Sequence, residues 1–222
     1  MTLVGILLAA GRGRRFDPSG AANKLLEPLA CAGAGGDCVV AASARQLLSQ
    51  LDTVVAVVAP DDGGVAVLLR ALGCEVTVCP DADSGMAASL VHAIGHSLSL
   101  NLPQNLPQNL PQNLPQNGLQ ARPQGWLIAL GDMPFVRADT IAALRDALVA
   151  GAGIVVPVLG GRRGNPAGFG AASLPDLLAL HGDQGARAII KAGVVTEVQV
   201  DDPGIFSDID TRSDLPKTST LP

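Results

Sequence analysis

The chain alternates between short runs that are apolar at nearly every position and longer stretches with helical length and composition. Leu3–Leu8, Val54–Ala59, Glu75–Cys79, Trp126–Leu130 and Ile154–Val158 predict strands. Near-continuous apolarity, rather than strict alternation, belongs to strands covered on both faces, as in a parallel sheet. Between them, Val39–Leu51, Val65–Leu72, Ala87–Leu98 and Thr140–Ala150 predict helices. Leu174–Leu180 and Gly185–Ala192 predict two later helices, and Val194–Val200 a further strand. Such alternation predicts an α/β layer fold with a doubly wound, mostly parallel sheet and helices on both faces. At 222 residues the expectation is one domain over 1–222, large enough to bury a sizeable core.

One stretch breaks the rhythm. Asn101–Asn117 is four copies of Asn-Leu-Pro-Gln followed by Asn117. A proline at every fourth position is incompatible with a regular helix and removes ladder donors from a strand. We expect a low-complexity insertion forming a surface loop, where added length costs little entropy; a polyproline-type ligand for a partner domain is the alternative.

Composition narrows the function classes. Aromatic residues are only 2% of the chain, with one Trp and no Tyr, so an aromatic stacking platform for single-stranded nucleic acid is not expected. A formal charge of −5 also argues against a general nucleic-acid binder, although Arg12, Arg14, Arg15 and Lys24 form a local cationic cluster. Cys31, Cys38, Cys74 and Cys79 match no zinc or CxxC spacing, and are read as reduced thiols of a cytoplasmic protein. The apolar start lacks a basic n-region and runs into arginines, which predicts a buried strand rather than a targeting segment. No apolar run reaches 18 residues, so no membrane span is expected.

The chemistry concentrates where the first apolar run ends, in Leu8-Ala9-Ala10-Gly11-Arg12-Gly13-Arg14-Arg15, with Lys24-Leu25-Leu26-Glu27-Pro28 soon after. A strand breaking into a glycine- and arginine-rich loop presents backbone N–H groups and cations to phosphates. A dinucleotide fingerprint would need a third glycine where Phe16 stands, and a Walker loop would need Lys24 directly after a glycine and before Ser or Thr. Both patterns fail, leaving a loop suited to a triphosphate on its own terms.

This segment resembles the L-A-A-G-x-G-x-R…K-L-L signature of the MobA-like nucleotidyltransferases, in particular the molybdenum-cofactor cytidylyltransferases. The resemblance continues in order through Asp83-Ser84-Gly85-Met86-Ala87-Ala88-Ser89-Leu90 and Leu130-Gly131-Asp132-Met133-Pro134. Gly161-Arg162-Arg163-Gly164-Asn165-Pro166, Gly182-Asp183-Gln184-Gly185-Ala186-Arg187 and Asp208-Ile209-Asp210-Thr211 complete it. It implies a Rossmann-like sheet of the nucleotide-diphospho-sugar transferase type. It also implies transfer of CMP from CTP to a phosphorylated acceptor, molybdopterin, with release of pyrophosphate. Arg15, Lys24 and Asp132 would be catalytic, and Asp132 and Asp210 would hold Mg²⁺. Leu8, Ala9, Ala10, Gly11, Gly13, Arg15, Lys24, Gly85, Met86 and Ser89 would bind the nucleotide, and Arg163, Asn165 and Pro166 the acceptor. A molybdoenzyme would be a further partner.

The residues bear independent readings as well. Asp132 is a carboxylate at the carboxyl end of a predicted strand, where open α/β sheets bind ligands, and Pro134 is expected to start a helix; as an alternative, Asp132 only caps that helix. Mg²⁺ needs hard oxygen ligands and usually keeps waters, so one or two carboxylates suffice. In an extended segment Asp208 and Asp210 share a side; Asp210 is preferred as the second ligand, with a capping box before a short C-terminal helix as the alternative for Asp210 and still more for Asp214. Gly164-Asn165-Pro166 predicts a turn. The family more often carries histidine where Asn165 stands, and the link from Arg15 to Lys24 is longer here than in many relatives. His92 and His96, at i,i+4 spacing, have no evident third ligand and are read as structural, as is His181. Leu8-Ala9-Ala10-Gly11 carries alanine where guanylyl-transferring relatives show glycine, so the Ala10 methyl is expected to disfavour a purine. Three functional alternatives stay open: another phosphorylated acceptor, GTP as donor, or a non-catalytic protein that delivers cofactor to a molybdoenzyme.

Overall fold

The apolar start forms β1 (Leu3–Ala9), six of whose seven residues are buried. The structure, a computed structural model, describes residues 2–20, 22–29, 37–100, 122–182 and 185–216. The Asn-Leu-Pro-Gln repeat, Cys31, Asp183 and Gln184 lie outside the described residues. β2 (Val54–Val58) and β4 (Gly125–Leu130) flank β1 in parallel, and β3 (Glu75–Val78) extends the parallel run beyond β2. Alternate side chains of these strands enter two separate cores. Leu3, Leu7, Val54, Ala56 and Val58 pack with α1 (Val39–Leu48), α2 (Val65–Ala71) and α4 (Ala138–Val149) on one face. Val4, Ile6, Val55 and Val57 pack with α3 (Met86–Ser99) and α5 (Leu174–Leu178) on the other. Burial on both faces is why the strands read as continuous apolar runs.

The predicted α/β fold with a mostly parallel sheet is therefore what forms, with one departure. Beyond β4 the sheet continues through β7 (Ala167–Gly170), antiparallel to both β4 and β5 (Ile154–Leu159). β6 (Arg162–Arg163) pairs with the end of β5, and β8 (Thr196–Gln199) runs parallel along the other edge of β5. The residues from Gly164 to Pro166 are thus not an isolated turn. They carry the chain from β6 to β7 along a single edge of β5, with a cis bond between Asn165 and Pro166. β7 escapes a pattern search because it is short and holds two glycines. A Cβ at Gly168 would come within 2.5 Å of Val155 and 2.8 Å of Leu148, so the closeness of strand to helix requires glycine there.

Two later boundaries move as well. α6 spans Arg187–Ala192, shorter than Gly185–Ala192. The helix after Asp132 begins at Ala138, not at Pro134. Met133 and Val136 are buried, so the chain dips into the core before the helix can start. Its first turn is then capped from a distance. Buried Asp202 accepts hydrogen bonds from the Arg137 N–H at 2.8 Å and the Thr140 hydroxyl at 2.7 Å.

Candidate active site

The carboxyl ends of β1 and β4 meet at the centre of the sheet. The Gly131 N–H donates to the Leu8 carbonyl at 2.9 Å, and a Cβ at Gly131 would lie 3.0 Å from that oxygen. Glycine there lets Asp132 emerge directly beside the loop that follows β1. That loop turns at Gly13 (φ 60°), whose carbonyl accepts from the Phe16 and Asp17 N–H groups. The Gly13 backbone also packs against the Lys24 stem.

The longer link to Lys24 is internally bonded. Asp17 accepts from the N–H groups of Ser19 and Ala22 and from the Ser19 hydroxyl; the hydroxyl bond, with the two N–H bonds, holds its carboxyl below the usual range. Phe16 is buried beneath the Arg212 guanidinium, 4.9 Å from its ring centre. Asn23 accepts from the Leu25 N–H and donates to the Asp62 carbonyl, so Lys24 enters the site from an anchored turn.

Lys24 is the hub of the site. Its ammonium, on a residue 7% exposed, donates to Asp132 at 2.6 Å, to the Ile209 carbonyl at 2.9 Å and to Asp210 at 3.5 Å. Asp210 also pairs with Arg15 at 2.7 Å. Ile209 is buried in the core, which leaves Asp208 and Asp210 on the cleft side of an extended segment, as the alternation predicts. That segment is tied to the rest of the site by the Ile209 N–H donating to the Asp132 carbonyl at 2.8 Å. Partial burial and the facing carboxylates of Asp210 and Asp132 raise the Asp208 carboxyl above its ordinary range. The capping box expected near the C-terminus forms with Thr211 and Asp214; Asp210 contributes only a backbone N–H to it. No group of three or more His, Cys, Asp or Glu side chains among the described residues is disposed to hold a metal ion alone.

These groups line a cleft of about 610 Å³. Leu8, Ala10, Gly11, Gly13, Arg15, Lys24, Gly85, Met86, Ser89, Asp132 and Asp210 all border it, and Ala9 lies next to them on a neighbouring cavity. Met86 opens α3, with Gly85 (φ 112°) as the residue before it. The Ala87 N–H there donates to the Gly182 carbonyl, and Arg187, at the start of α6, also borders the cleft. Sequence reasoning placed Arg187 in a family block without giving it a role.

The three residues expected at the acceptor do not border this cleft. Arg163 pairs with Glu197 of β8 at 2.8 Å. Asn165 and Pro166 border a separate small cavity with Ser43, Met133 and Ile141, and the Asn165 N–H donates to the Ile205 carbonyl. Neighbouring Arg162 stacks over Phe206 at 4.4 Å. Two of the three histidines make local contacts: His92 shares a hydrogen bond with Thr77 of β3 at 2.9 Å, and the His181 ring contacts the Ala179 carbonyl. Among the described residues, no helix is long and apolar enough to cross a membrane.

A mostly parallel sheet whose carboxyl edge carries a glycine loop, a buried lysine and paired aspartates accords with the class the domain profile gives, the nucleotidyltransferases. Within that class the chain belongs to the MobA-like NTP transferase family, whose domain profile matches residues 5–198. Among solved structures it is similar to Rv0371c from Mycobacterium tuberculosis H37Rv, with 25% identity and a TM-score of 0.73 over 96% of this chain and 95% of that one. It shares its fold with a nucleotidyl transferase from Methanothermobacter thermautotrophicus at 23% identity and TM-score 0.71, over 96% and 94% of the two chains. The molybdopterin-guanine dinucleotide biosynthesis protein A of Archaeoglobus fulgidus also has this fold, at 17% identity and TM-score 0.58 over 96% and 94%. No curated protein sequence matches the chain.

Proposed function

We propose that the protein transfers CMP from CTP to a phosphorylated acceptor, molybdopterin, and releases pyrophosphate. The observation that carries this reading is the convergence of Lys24, Arg15, Asp132 and Asp210 beside the glycine loop. An acceptor phosphate oxygen attacks the α-phosphorus in line. The bond between the α-phosphorus and the bridging oxygen to the β-phosphate breaks, and pyrophosphate leaves with that electron pair. Arg15 and Lys24 neutralise charge on the triphosphate and on the departing pyrophosphate, so catalysis is positioning and electrostatic stabilisation.

Asp132 and Asp210 fit a divalent cation. They are hard oxygen donors held close by a shared ammonium, and two protein carboxylates with phosphate oxygens and waters satisfy Mg²⁺. A structure of Rv0371c in complex with manganese supports divalent-metal binding at this fold. When bound, the cation supplies Lewis-acid stabilisation of phosphate charge. Asp208 is available as an additional or outer ligand.

CTP is preferred as donor because Ala10, a buried residue, borders the cleft, where its methyl would narrow the space beside the base. The acceptor could instead be another phosphate ester, a reading favoured by the pairing of Arg163 with Glu197 away from the cleft. The test is pyrophosphate release from CTP and Mg²⁺ with a panel of phosphorylated acceptors that includes molybdopterin. Turnover with molybdopterin is expected, and Asp132→Asn should bind CTP yet lose at least about a hundredfold in turnover. Turnover with a different acceptor would replace the acceptor assignment. A wild-type protein inert with every acceptor, though it binds CTP, would favour the delivery-protein alternative.

A further inference from the structure

Arg12 reaches away from the catalytic carboxylates. Its guanidinium donates to both oxygens of Asp83, at 2.7 and 2.8 Å, a two-bond geometry that fixes direction as well as distance. Asp61, following β2, flanks the same guanidinium at 3.8 Å. In the strand order β3-β2-β1-β4, Arg12 therefore bridges from the β1 loop, past β2, to the turn after β3. Lys24 and Asp132 sit on the β4 side of the same loop. With strands spaced about 4.8 Å apart, the β3 and β4 ends are separated by roughly 14 Å, so a nucleotide with its phosphates at Asp132 points its base toward the bridge.

The loop that carries Arg12 is also a partition, and the bridge ties it to the turn after β3. A second cavity of about 720 Å³ lies beyond it, bordered by Asp17, Asn23, Asp61 and Gly63. Ala10, Gly11, Arg12 and Arg14 border both this cavity and the catalytic cleft. Of these, Arg12 is the one side chain bonded across to Asp83, which itself faces the cleft beside Gly85. The bonding to Arg12 holds the Asp83 carboxyl below its usual range, so the pair is ionised at neutral pH.

We infer that the Arg12–Asp83 ion pair is a specificity-determining wall: it closes the base end of the cleft at pyrimidine length, and its loss opens the neighbouring cavity to a purine. The inference rests on the nucleotidyltransferase reading of the cleft. The Asp83 side chain is 59% exposed and that of Arg12 35%, and pairs open to solvent add little to fold stability, so variants that break the pair keep the fold.

The test measures CTP and GTP binding to the full-length protein by calorimetry with Mg²⁺ present, for the wild type, Arg12→Ala, Asp83→Ala and the double variant. The wild type should favour CTP. Each single variant should lower the CTP-to-GTP affinity ratio by at least tenfold. The double variant should fall no further than either single, because one shared interaction is being removed. Parallel loss of both nucleotides with an unchanged ratio would overturn the inference. So would effects that add in the double variant, or a wild type that binds both bases equally. Because binding needs no acceptor, an inert enzyme that still discriminates CTP from GTP would fail the transfer reaction and leave the wall intact. A wild type that binds neither nucleotide would remove both.

Discussion

Lys24 spends all three of its ammonium hydrogens on the site, two of them on carboxylates and one on a main-chain carbonyl. In this arrangement it acts as a counter-charge that keeps Asp132 and Asp210 facing each other. Removing it leaves clustered carboxylates without compensation. Because both aspartates keep some exposure, Lys24→Met should cost about 2 kcal/mol, below the 3–5 kcal/mol of a fully buried pair. That corresponds to a fall in melting temperature of roughly 4–8 °C for a chain of this length. The measurement is thermal unfolding with a chelator present, then with Mg²⁺ or Mn²⁺ added. A divalent cation should recover part of the loss by supplying the missing charge, and no recovery would count against Asp132 and Asp210 as cation ligands. At this scale much was legible: a lysine and two aspartates singled out from separate sequence blocks come together in one cluster. What escaped was pairing. Arg12 with Asp83 and Arg163 with Glu197 are separated by 71 and 34 residues, and no local pattern records either contact.

Elements were legible where burial on both faces produced continuous apolar runs, as in β1, β2 and β4, and failed where glycine replaced side chains, as in β7. Pattern placed the start of α4 at Thr140, two residues late, whereas reading Pro134 as its first residue failed for a different reason. Its cap is Asp202, a residue 1% exposed, which serves the Arg137 N–H, the Thr140 hydroxyl and the Gly204 N–H at 2.9 Å. A cap donated from across the fold leaves no signal before the helix, whereas Ser, Thr, Asp or Asn at the preceding position would have. The same carboxylate ties the C-terminal segment, which carries Asp208 and Asp210, to α4. Asp202→Ala strands three donors, so a loss of about 3 kcal/mol is expected, or roughly 6–12 °C in melting temperature. Asp202→Asn, which keeps an acceptor oxygen, should lose less. Equal losses in the two variants would show that the charge, not the hydrogen bonds, holds the segment.

The whole molecule is polar in a geometric sense. The residues that line the cleft sit at the carboxyl edge of the parallel strands, while Leu100 and Arg122, the described residues on either side of the stretch of sequence that holds the repeat, lie toward the opposite edge. α3 starts at the cleft with Met86 and runs 14 residues away from it, about 21 Å, before the segment that contains the repeat. β4 then starts at Gly125 and returns toward Asp132. The two attachment points are close: the Trp126 indole N–H donates to the Ser97 hydroxyl at 2.9 Å, fixing the end of the helix against the start of the strand. A short connection can therefore replace the long one. Deleting Asn101–Gln116 leaves five residues between Leu100 and Arg122. Two halvings of loop length return about 1.2 kcal/mol of closure entropy at most. The deletion variant should accordingly unfold at the same temperature or up to about 5 °C higher, with kcat/KM for nucleotide unchanged within roughly twofold, since none of the described residues that line the cleft is removed. Thermal unfolding and steady-state kinetics on the purified variant decide it. A tenfold fall in kcat/KM, or a lower melting temperature, would mean that the repeat reaches the catalytic edge or packs on the domain.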